Sequence, residues 1–109
     1  MSIFSKFSKK NPASLAFKRS MAQLISNKNI KYVGEKVDGI EIIIGKGGCI
    51  SIDGDQIIVF SSGDVLLRAN IAEMDASELL SKEGVIITAP DVEHGGKIRT
   101  IVVYYVYFR

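Results

Sequence analysis

The chain has 109 residues, 47% of them hydrophobic and 24% charged, and a net charge of +2. That is enough for one domain with a real core and too little for two. Its longest unbroken apolar run is residues 101–108, far short of the ~20 residues of a membrane-crossing helix.

The charge is unevenly placed. Residues 1–34 carry Lys6, Lys9, Lys10, Lys18, Arg19, Lys28 and Lys31 and no acid, a sum of +7. Residues 35–109 carry seven basic and twelve acidic residues, a sum of −5. Such asymmetry suggests a polyanionic surface or a charge match within the chain. No apolar run follows the basic first ten residues, so no secretory leader is expected. One cysteine, Cys49, excludes an intrachain disulfide and fits a reducing, cytoplasmic compartment.

Residues 1–10 mix Ile3, Phe4 and Phe7 with Lys6, Lys9 and Lys10 and read as a basic arm ahead of a single domain over 11–109. Asn11 and Pro12 suit a helix start. Ala13, Phe17, Met21, Leu24 and Ile25 then recur at helical spacing, which predicts a helix over 12–27 with one apolar stripe. A meander follows. Strands are expected over 30–37, 39–45, 49–53, 56–61 and 64–70, joined by short turns and so antiparallel. Asp38-Gly39 is a two-residue hairpin signal, because Gly accepts positive φ. Asp75 to Glu78 reads as a capping box, which predicts a short helix over 76–82. A strand over 85–89 follows, then a polar loop at 91–96.

The final stretch, KIRTIVVYYVYFR, is rich in β-branched and aromatic residues and is expected to be a long strand. Alternation puts Val102, Tyr104 and Val106 on one face and Ile101, Val103, Tyr105 and Tyr107 on the other. The first face is expected in the core, with the helix as its cover. The second would then be a free apolar row, suited to self-association, with a twofold dimer as the default. About seven antiparallel strands need their edges managed. The expected fold is therefore α+β and mainly β: a small barrel or two orthogonal sheets, with an N-terminal helix as lid.

No set of residues carries an obvious chemistry. Gly45-Lys46-Gly47-Gly48 lacks the spacing of a P-loop and sits between strands, so it reads as a turn. His94 with Asp91 and Glu93 has no second His or Cys nearby and reads as a turn residue. Cys49 has no partnered base. Tyr104, Tyr105, Tyr107 and Phe108 could stack bases, but the strand bears few cations, and nucleic acid is not expected as a partner. No cofactor or metal is expected, and no catalytic residue is assigned. The candidate contact surface is Phe4, Phe7, Lys9 and Lys10 of the arm with Ile101, Val103, Tyr105 and Tyr107 of the last strand. The arm suits an anionic membrane surface or an acidic protein; the bland alternative is that it lies on its own acidic sheet.

Two segments carry a resemblance. "GCISIDGDQIIVF" resembles the strand, turn and strand of bacterial PH-like and GRAM-like small barrels, and "VLLRANIAEM" their next strand and helical turn. The likeness spans residues 48–88. It implies a non-catalytic binding or adaptor module and transfers no site residue. Those barrels place a long helix after the last strand, whereas here the helix comes first. The other reading is a small ligand binder or enzyme using the loops at 45–48 and 91–96.

Overall fold

A computed structural model describes residues 14–26 and 28–106. The helix α1 spans Leu15–Ile25, capped by Ser14, whose Oγ accepts a hydrogen bond from the Phe17 amide at 3.1 Å. Eight strands follow: β1 Ile30–Val37, β2 Ile40–Lys46, β3 Cys49–Asp53, β4 Gln56–Ser61, β5 Asp64–Asn70, β6 Asp75–Glu78, β7 Gly84–Pro90 and β8 Ile98–Tyr105. A short 3-10 turn, Ile71–Glu73, links β5 to β6.

The strands form two antiparallel sheets rather than a closed barrel. One has five strands in the order β2-β1-β8-β7-β6; the other has three in the order β3-β4-β5. The five strands of the expected meander form, but β2 and β3 lie in different sheets and do not pair; the Asp38-Gly39 turn has positive φ at both residues (53° and 81°), the primed geometry that matches strand twist. The final strand is the middle member of the large sheet, so its backbone is paired on both sides.

The core forms where the sheets face each other. Val33, Val85, Ile87, Ile101 and Val103 of the large sheet meet Ile50, Ile57, Val59, Leu67 and Ala69 of the small one. This overturns the expected facing of β8. Ile101 and Val103 are fully buried and Tyr105 is 7% exposed, so the row expected as a contact face is the core face. The physical reason is that the small sheet, with Ile57 and Val59 alternating inward, supplies the cover. Val102 is also buried, on the outer face, where Gly34 and Ile86 are its cross-strand neighbours.

Two helical expectations change as well. The helix packs against the 3-10 turn, β6 and β3, not β8. It buries Ala22 and Ile25 and leaves Leu24 47% exposed, so the stripe is rotated from the one read off the spacing. Residues 75–78 form an edge strand instead of a capped helix. Period-two burial (Ala76 in, Ser77 out) and pairing with β7 outweigh the capping pattern, and Leu80 is fully exposed.

Candidate functional site

Two sheets have four edges, and a free edge invites another strand. Three of the four are covered in whole or in part. On β5, the Leu66 carbonyl accepts a hydrogen bond from Arg99 Nη1 at 2.8 Å. The Arg68 amide donates to Asp91 Oδ1 at 3.2 Å, and the Arg68 carbonyl accepts from the Val92 amide at 2.8 Å. The β3 edge is bridged at its first residue alone, by Asn29 opposite Cys49, and β6 lies beside the helix.

The fourth edge, β2, is different. The two-residue turn makes Val37 and Ile40 a bonded pair, so Ile40 and Ile42 direct their amides and carbonyls at β1. Glu41 and Ile43 direct theirs outward. Among the described residues nothing bonds to that outward backbone. The side chains are apolar and open: Ile40 is 64%, Ile42 51% and Ile43 47% exposed.

Glu41 is the one charge between Ile40 and Gly45, and it does not guard the edge. Its side chain lies over Gly34, where an added Cβ would come within 2.8 Å of Glu41 Cγ. There both carboxylate oxygens accept from Tyr104 Oη at 3.0 Å. Burial, with this carboxylate second, pushes the Tyr104 hydroxyl up to about 12, so it stays protonated and donates. Tyr32 packs on Tyr104 with ring centroids 4.5 Å apart and closes the outer face beside it.

Between β2 and β5 opens a cleft of about 1020 Å³, lined in part by Glu35, Ile44, Leu66, His94, Lys97 and Arg99. Its floor is an ion-pair network. Arg99 grips Glu35 through Nε–Oε2 at 2.9 Å and Nη2–Oε1 at 2.7 Å, and Nη1 also reaches Asp91. Asp91 is fully buried and accepts from the Glu93 amide at 3.0 Å and from His94 Nδ1 at 2.7 Å. An ionised carboxylate only accepts, so Nδ1 carries the proton. The Arg99 hydrogen bond holds the Glu35 carboxyl below its ordinary value. Burial raises Asp91, but the bonds from His94, Arg99 and the Arg68 and Glu93 amides outweigh it and hold it low. Arg99 is raised in turn, first by Glu35. Both acids thus stay ionised and engaged. The network acts as a strut joining β1, β5, β8 and the 91–96 loop.

The sequence-derived candidates scatter. Phe4, Phe7, Lys9, Lys10 and Tyr107 lie outside the described residues. Ile101, Val103 and Tyr105 line the core. His94 lines the cleft, but residues 45–48 and Cys49 do not. Gly48 has φ 119°, and a Cβ there would lie 1.9 Å from the Phe60 carbonyl oxygen, so this turn is packed on β4. Cys49 is exposed. No group of three His, Cys, Asp or Glu able to hold a metal is found among the described residues, and no helix among them is long and apolar enough to cross a membrane. The basic residues of the helix are used locally: Lys18 Nζ donates to the Ala72 carbonyl at 2.9 Å, and Arg19 pairs with Asp55 at 2.8 Å.

Sequence reasoning missed Arg99, which reads as a flanking charge. Its signal was positional: it shares a strand face with Ile101 and Val103, and a cation on an apolar face needs buried partners. No protein-family model, no curated protein and no solved structure matches this chain.

Proposed function

We propose that the protein is a non-catalytic binding or oligomerisation module that works through the free edge of β2. One observation carries the reading: β2 keeps three exposed isoleucines and an unpaired backbone while its only central charge is folded away onto Tyr104. Edge strands are usually blunted by charge, proline or cover, and β5 here is bonded along its outer side by Arg99, Asp91 and Val92. An extended segment added to β2 would gain main-chain hydrogen bonds for affinity and apolar side-chain contacts for specificity. The PH-like adaptor affinity belongs to the same proposal. Two facing antiparallel sheets with a helix along one open side accord with it, although the helix precedes the strands.

The test uses a fluorescent peptide copying residues 38–47 and the full chain. Binding is expected to raise the anisotropy, and Ile42→Lys, which places a charge on the exposed edge, is expected to abolish it without changing the thermal melt. If the peptide does not bind and the chain forms no assembly that Ile42→Lys disrupts, the edge reading is wrong.

A further inference from the structure

We infer that the strand taken up by β2 is the β2 of a second copy of this chain, paired antiparallel about a twofold axis at Ile42. The inference rests on the edge reading above and adds the identity and register of the occupant.

Backbone geometry limits the choices. A continuous antiparallel sheet built by a twofold must place the axis normal to the sheet, so each residue meets one pointing to the same face. Three registers keep the outward backbone of Glu41 and Ile43 in play, centred on Glu41, Ile42 or Ile43. The Glu41-centred register sets Ile43 opposite Gly39, which lies in the turn beyond the start of β2, so only the Glu41 pair bonds within the strands. The Ile43-centred register runs into the β-bulge. Gly34 pairs with Ile43 and Val33 with Gly45, so Ile44 is an extra residue that breaks the ladder there.

The Ile42-centred register keeps all its hydrogen-bonded pairs within residues 41–43, ahead of the bulge. Glu41 of each copy meets Ile43 of the other, and each such pair exchanges two backbone hydrogen bonds. Ile42 meets Ile42, and Ile40 approaches Ile44, on the face that borders the cleft. The ends are complementary in charge. Exposed Lys46 of each copy arrives at the exposed Asp38-Gly39 turn of the other, twice by symmetry. Glu41 remains on Tyr104, away from the seam. The two five-stranded sheets become one ten-stranded sheet. The seam is short beside the ~800 Å² that each partner buries in a standard interface, so the dimer is expected to be weak and reversible.

The experiment is sedimentation of the full chain over a wide concentration range, with amide exchange read at Glu41 and Ile43. A monomer–dimer equilibrium is expected, with those two amides slowing as concentration rises. Ile42→Lys and Lys46→Glu are each expected to raise the dissociation constant by at least about tenfold while the circular dichroism spectrum and melt stay unchanged. A chain that stays monomeric while the 38–47 peptide binds overturns the second copy as occupant and leaves the edge reading standing. A dimer that Ile42→Lys does not weaken puts the seam elsewhere and overturns this register.

Discussion

β8 and β2 are both rich in β-branched apolar residues and have opposite fates. Ile98–Tyr105 reads IRTIVVYY and Ile40–Lys46 reads IEIIIGK. The first buries Ile101, Val102 and Val103, with a sheet neighbour on each side and a second sheet over one face. The second leaves three isoleucines in the open. Hydrophobicity made both into strands; position in the sheet decided which is core and which is surface. An apolar strand at an edge is therefore better explained as a contact than as a failed core.

The sharpest way to break the comparison is to place the same charge in both strands. Val103→Asp buries an unpaired carboxylate between the sheets and is expected to cost several kcal/mol, enough to unfold a domain of this size. A chemical denaturation curve matching the parent would show that β8 is not central. Less severe is the loss of Arg99. Arg99→Met leaves Glu35 and the fully buried Asp91 without their cation, and removing one partner of a buried pair costs about 3 kcal/mol.

The same network sets a pH dependence. Glu35 and Asp91 are held below their ordinary values of 4.5 and 3.8. Carboxylates depressed by folding contribute stability that is complete above those values and lost as pH falls through the lowered ones. Melting temperature is thus expected to drop as pH falls below about 4, and to drop less in Arg99→Met, where Glu35 loses the hydrogen bond that lowers it most. An equal acid response in both proteins would mean the network is not what titrates.

The helix offers a milder contrast. Ile25→Ala is expected to cost about 2–3 kcal/mol because that residue is fully buried. Leu24→Ala, one position along, is expected to cost under about 1 kcal/mol. Equal losses would return the helix to the stripe read from spacing. The smallest effect is expected at the edge itself: Ile42→Lys should change stability by no more than about 0.5 kcal/mol while abolishing association, so that stability and assembly separate cleanly.

Much of the secondary structure was legible because it is a local matter. The strands of the meander follow from β-branched runs bounded by Gly and Asp turns, and Asp38-Gly39 folds as its chemistry demands. The stretch at 75–82 was misread because a capping pattern is weak evidence beside a pairing partner in β7 that lies several residues away. The site was hardly legible at all. Glu35, Asp91 and Arg99 lie up to 64 positions apart, and only the meeting of β1, β8 and the 91–96 loop makes them a network. Likewise, alternation divided Ile98–Tyr105 into two faces but could not say which would meet the other sheet, since both are apolar.

The sequence by itself determined that this chain folds as a mainly β domain, with antiparallel strands, tight primed turns and an amphipathic helix ahead of them. Those features depend on φ/ψ preference and side-chain alternation over a few residues. Tertiary structure alone decided the strand order, the buried face of β8 and the exposure of β2. These depend on which distant surfaces cover one another, and several apolar strands competed for the same places between two sheets.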